Sequence, residues 1–217
     1  MRRFLAAPFL FYSLALVLGV ALRFFFVAPF GGIDFGNAVH AHSHTLYFGW
    51  AGLGIFALAF ARLGATDRTV RRVLASIAIL SAATFVVFLE GGYALPGIVV
   101  STLALVVWMA AVVVFFRRAR GKSGVDLSFL RWSMIYIVLA SLGATARVVF
   151  LALGVEDPLP GKLAVFAFLY DFAWFFVLAV FGLLAWLAPK LGTRLDERLL
   201  RIQLALAVPF AWLTFPL

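Results

Sequence analysis

Seven long apolar stretches follow one another along the chain, near residues 4–28, 38–61, 72–90, 96–116, 129–153, 163–188 and 198–216, separated by short polar segments. Roughly 20 mainly apolar helical residues cross a bilayer. The pattern therefore predicts an all-α polytopic membrane bundle of about seven transmembrane helices, organised as a single transmembrane domain over residues 1–217. The third and last stretches are short, and the last contains Pro209 and Pro216, so it is the least span-like.

Composition supports this pattern. The chain has 217 residues, 65% hydrophobic and 12% charged, and a mean hydropathy of +1.12. Such a balance needs lipid as the outer solvent, so the lipid bilayer is the expected partner. Cysteine is absent, which removes disulfides, thiolate metal sites and iron–sulfur clusters.

The net charge of +9 is a topology signal rather than a nucleic-acid footprint. On the expected map, all but Arg23, Arg147 and Lys162 of the 18 basic residues fall on one side. They form clusters at Arg2–Arg3, Arg62–Arg72, Arg117–Arg131 and Lys190–Arg201. The positive-inside rule places that side in the cytoplasm, with the N-terminus inside and, for seven spans, the C-terminus outside. The opening "MRRFLAAPFLFYSLALVLGV" is read as a retained first span. Its apolar run exceeds the ~7–15 residues of a signal-peptide core.

An offset of 124 aligns Tyr12 with Tyr136, Gly19 with Gly143, Arg23 with Arg147 and Trp50 with Trp174. Four helices of offset preserve orientation, so this predicts a parallel four-helix pseudo-repeat, with units about 1–124 and 125–217 and the second incomplete. His40, His42 and His44 then correspond to Ala164, Phe166 and Phe168, and Tyr47 to Asp171.

Those three residues are all the histidines of the chain, at the mouth of the second span in "NAVHAHSHTLYFGW". At 100° per residue His40 and His44 share a helix face, while His42 lies about 200° away. Four readings compete: polar residues at an interface, a Zn or Cu site, a proton relay, and axial ligation of heme. An i,i+4 pair such as His40 and His44 can chelate a divalent ion, with Glu90, Asp171 or water completing the set. Heme instead requires an axial imidazole, an apolar aromatic slot and cations for its propionates. The chain is 17% aromatic, and Arg23 and Arg147 stand at about the histidines' depth as candidate propionate partners. The competing role for Arg147 is an ion pair with Asp171.

The segment "HAHSHTLYFGW" resembles the helix of heme-copper oxidase and nitric oxide reductase catalytic subunits that carries a His-x-His pair. In that family the two imidazoles serve two hemes on opposite sides of one helix, and the helix runs from outside to inside with the pair near its outer end. The resemblance implies a small, divergent oxidase-like membrane protein with His40 and His42 as axial ligands of heme, of b type. It implies electron transfer or O2/NO chemistry, a place in a respiratory or denitrification complex with other membrane subunits or as a homodimer, and a bacterial inner membrane. It is confined to roughly residues 37–50. The chain has fewer spans than the family's core, no second histidine-bearing helix and no three-histidine set, so the family's reduction reaction is not carried over.

The alternative expectation is a non-catalytic membrane subunit or assembly factor with Zn or Cu at His40, His42 and His44. A transporter is disfavoured because the polar groups cluster near one end of the spans. Among other groups, Glu90 reads as a solvated helix end, Asp157 or Glu156 as a cap of the sixth span, and Met109 and Met134 as candidate sixth ligands of heme iron. Gly49, Ala51, Gly52 and Gly54 form a small-residue face for a close helix or a flat ring.

Overall fold

The computed structural model describes residues 2–28, 31–155, 157–193 and 195–213. It is 86% helical, and no strand occurs among the described residues. The helices are α1 (Arg2–Phe25), α2 (Phe35–Arg62), α3 (Arg68–Gly91), α4 (Leu95–Ala119), α5 (Val125–Ala152), α6 (Pro158–Leu187) and α7 (Glu197–Leu213). Each falls on one expected stretch. All seven begin earlier than the apolar pattern indicates, because helices start at polar caps that hydropathy does not count. Asp34 caps α2 through the Asn37 amide, Asp67 caps α3 through Thr69 and Val70, and Asp157 caps α6 through Leu159.

Among the described residues six helices, α1 to α6, are long and apolar enough to cross a membrane. The seventh stretch forms α7, a helix of 17 residues. It extends about 25 Å, short of a hydrocarbon core of about 30 Å. The end of the expected seventh span, including Pro216, lies outside the described residues. The described basic clusters fall at the C-terminal ends of α2, α4 and α6 and the N-terminal ends of α3, α5 and α7, as alternating traverses require.

Helix packing groups the chain into two compact units, Met1–Arg118 and Ala119–Leu217, a division near the expected repeat boundary at 124. In the first unit α2 is central: 61% of its most apolar window is buried, against 22–39% in the other spans. Leu53, Phe56 and Phe60 of α2, Leu74, Ile77 and Phe88 of α3, and Trp108 and Phe115 of α4 are buried in that unit, with the Phe56 ring 6.2 Å from Trp108. At the basic end, Arg118 pairs with Asp67 at 3.0 Å. Desolvation opposes ionisation of the Asp67 carboxyl, but the Val70 and Thr69 amides and the Arg118 charge outweigh it and hold the group below its ordinary value.

In the second unit α5 and α6 lie side by side along most of their length. Gly182 of α6 meets the Asp126 carbonyl near one end, and Gly143 of α5 meets the backbone of Ala164 and Phe168 near the other. Between them the Ser133 hydroxyl donates to the Phe175 carbonyl at 2.8 Å. Helix α7 is tied on by the Tyr136 and Tyr170 hydroxyls, which donate to the Val208 and Ala211 carbonyls at 3.3 and 2.7 Å. The two units share local detail at the positions the repeat aligns. Tyr12 lies 5.2 Å from Trp50 at 41°, and Tyr136 lies 6.3 Å from Trp174 at 35°. Gly19 faces residue 42 of α2, while Gly143 faces residues 164 and 168 of α6, the counterparts of 40 and 44.

The Gly143 crossing yields a testable consequence. An added Cβ would sit 2.7 Å from the Ala164 oxygen and the Phe168 nitrogen. Backbone cannot rotate away, so Gly143→Ala is expected to destabilise the second unit by about 1–3 kcal/mol, measured as a shift in a denaturing-detergent titration. Gly154→Ala, with open space around the Cβ position but φ +64°, separates backbone strain from this steric effect.

Candidate functional site at the mouth of α2

Helix α2 enters at Asp34, whose carboxylate accepts from the Asn37 amide at 2.8 Å. The Asn37 side chain donates to the Glu90 carbonyl at 3.5 Å and packs against Gly92, a residue with φ +54°. Only glycine adopts that backbone readily, and a Cβ there would also strike Asn37. The end of α3 and the loop carrying Tyr93 are thereby held beside the first turns of α2.

The helical period separates the imidazoles as expected. His42 faces α1, where its Nδ1 lies 2.8 Å from the Ala15 carbonyl oxygen and its ring rests on Gly19. A carbonyl only accepts, so His42 donates from Nδ1 and presents a lone pair at Nε2. Among the described residues nothing hydrogen-bonds to that Nε2. His40 and His44 face α3 and its following loop. His44 donates from Nδ1 to the His40 carbonyl at 2.9 Å, and its Nε2 accepts from the Tyr93 hydroxyl at 3.2 Å. The His44 ring also stacks on Phe88 at 4.1 Å and 21°, so it is fully used by the protein. The ring nitrogens of His40 have no hydrogen-bond partner among the described residues, and Tyr93 lies edge-on 4.6 Å from the ring.

Below the histidines α2 widens into a π-helical segment, Thr45–Gly52. Such segments recur at functional sites because they re-aim side chains within a continuous helix. The small-residue face here is filled by protein side chains. Phe11 occupies the space beside Gly49, Trp108 that beside Gly52, and Pro8 that beside Gly54. Met109 follows Trp108 and so stands at the level of Gly52, ten residues beyond His42 or about 15 Å along α2. That depth does not suit a sixth ligand opposite His42. Met134 is buried within the second unit.

Of the two arginines, Arg23 stands one turn beyond Gly19 on α1 with an exposed side chain. Arg147 is seated over Gly161 of α6, where an added Cβ would come 2.8 Å from its Nη1. The Arg147–Asp171 ion pair does not form: Asp171 is ten residues further along α6 than Gly161, about 15 Å. Glu90 is exposed at the end of α3. Asp157 caps α6, and Glu156 lies outside the described residues. No group of three or more His, Asp or Glu close enough to hold a metal ion occurs among the described residues.

The sequence pattern did not single out the partners that give the three histidines different roles. Ala15, Gly19, Phe88 and Tyr93 are supplied by other elements. The available signal was Gly19 one turn before Arg23 on α1, and a lone tyrosine in the loop after α3.

Fold and site define an all-α integral membrane protein with one imidazole turned toward α1 and two turned toward α3. Compared with known protein families, curated proteins and solved structures, the chain matches none.

The Gly19 seat makes the His42 tautomer testable. The Cβ of Gly19→Ala would lie 2.8 Å from His42 Cε1, pushing the ring off and breaking its bond to Ala15. Nitrogen-15 spectra of histidine-labelled protein should then report exchange between tautomers at His42, while His44 keeps its fixed form. Tyr93→Phe should leave both tautomers fixed, since His44 keeps its Nδ1 bond to the His40 carbonyl, and should cost about 1 kcal/mol for the lost hydrogen bond.

Proposed function

We propose that this protein is a heme-binding integral membrane protein, with His42 as axial ligand through Nε2, serving electron transfer or O2/NO chemistry. The observation that carries the reading is the state of the His42 ring: Nδ1 is fixed by a backbone carbonyl and Nε2 is unused. Metal-ligating histidines are oriented in this way, because a bond at one nitrogen sets both tautomer and ring angle at the other. Arg23, one turn beyond Gly19 on α1, supplies the cation for a propionate. Bound there, heme would supply a reversible one-electron couple and a coordination position for a diatomic ligand. His40 supports a second heme less well, since a macrocycle on its ring would have to displace Tyr93. His44 acts as a positioning residue for the loop after α3.

A Zn or Cu site in a non-catalytic subunit or assembly factor has weaker support. His44 has both nitrogens engaged, and His42 points away from His40. The reading extends to placement in a bacterial inner membrane, with basic helix ends in the cytoplasm and the mouth of α2 outside.

Visible spectra of the purified protein, oxidised and reduced, test the heme reading. A Soret band with sharp reduced bands is expected. His42→Ala should abolish it, and Gly19→Ala should weaken heme binding about 10-fold or more by releasing the ring. His44→Ala should retain it. Full heme content in His42→Ala would sink this assignment, and stoichiometric Zn or Cu without heme would favour the metal-ion reading.

Cysteines introduced at Arg68, Lys122 and Arg194 test the orientation independently. Membrane-impermeant labelling of intact cells is expected to fail at all three sites. Efficient labelling there would invert the topology and bring the histidines to the cytoplasmic side.

A further inference from the structure

Helix α5 has 28 residues, or about 42 Å, the thickness of a bilayer with its headgroups. Arg147 lies five residues from its end, and Lys162 lies in the first turns of α6. Both therefore stand near headgroup depth. They border an open cavity of about 580 Å3 lined also by Asp157, Gly161, Phe166 and Leu169. Neither cation is engaged by a carboxylate among the described residues. The absence of a side chain at Gly161 is what admits the Arg147 guanidinium against α6.

We propose that this cavity binds the phosphodiester of an anionic glycerophospholipid, with an acyl chain descending over Phe166 and Leu169. Charge favours this ligand. Among the described lining residues, Arg147 and Lys162 against Asp157 leave one net positive charge, which a singly charged phosphodiester with a neutral headgroup neutralises. Guanidinium and ammonium together suit phosphate oxygens, the first as a planar fork and the second as a mobile point charge. The site rests on these side chains and not on the helix end. Pro158 and Pro160 have no N–H, and the Leu159 amide is already bonded to Asp157. The apolar wall distinguishes a lipid from a free anion: Phe166 and Leu169 are substantially exposed on α6, where a chain would cover them. The proposal is independent of the heme reading, because every residue it uses lies in the second unit.

Native mass spectrometry of the full-length protein in detergent, titrated with phosphatidylglycerol, phosphatidylcholine or inorganic phosphate, tests it. One phosphatidylglycerol should be retained in clear preference to phosphatidylcholine. Arg147→Gln and Lys162→Gln should each weaken retention about ten-fold or more, as expected for losing a charge-assisted hydrogen bond. Lys162 is exposed, so its variant remains decisive if Arg147→Gln fails to fold. Gly161→Ala should also weaken retention, by displacing the guanidinium. Equal retention of both lipids, or unchanged phosphatidylglycerol retention in Lys162→Gln, would overturn the proposal. Saturation by inorganic phosphate that excludes phosphatidylglycerol would assign the cavity to a free anion instead.

Discussion

The contact between Gly19 of α1 and the His42 imidazole of α2 is the constraint from which the site follows. In lipid, helices gain little from burying apolar surface against one another, since acyl chains are as apolar as leucine. Association depends on close fit, and close fit depends on where side chains are missing. At Gly19 the missing side chain admits a ring. The ring then reaches the Ala15 carbonyl, and that bond fixes which nitrogen carries the proton. A packing requirement and a chemical one are met by the same glycine.

The second unit solves the corresponding crossing differently. At Gly143 the glycine meets the backbone of Ala164 and Phe168 directly, with no ring inserted. Phe166, the counterpart of His42 by the repeat offset, is 39% exposed. The Tyr–Trp pair is retained in both units with similar spacing. In the α1–α2 seam the polar group is an imidazole, and in the α5–α6 seam it is the Ser133 hydroxyl, which the Phe175 carbonyl satisfies. A polar ring in such a seam must be satisfied or used. His44 is satisfied, and His42 is satisfied at one nitrogen only.

The two arginines matched by the repeat have also taken separate surroundings. Arg23 stands near the histidine seam of α1, while Arg147 lies over Gly161 beside Lys162. Each is a cation near the end of an apolar helix, where a long side chain can reach the polar interface. In a bilayer, charges at that depth are ordinarily met by headgroups, carboxylates or cofactors. The surrounding apolar wall, absent from a solvated surface arginine, is what gives Arg147 a specific ligand class.

The sequence by itself determined the elements and their faces. Lipid forces every spanning segment to satisfy its own backbone, so long apolar runs become helices. That is why all seven stretches were legible as helices, with ends that shift by up to five residues, as at the Asp67 and Asp157 caps. The helical period likewise settled that His42 opposes His40 and His44, because 100° per residue is a local property. Tertiary structure decided which imidazoles keep a free nitrogen, which glycines receive a neighbour's side chain, and whether Arg147 reaches Asp171. Each of those depends on a partner from another helix, and helix-to-helix distance is set by side-chain shape at the crossing, which no periodicity along one helix records. The span count is the intermediate case: hydropathy marked the last stretch, but helix length among the described residues left α7 at 17 residues beside six full spans.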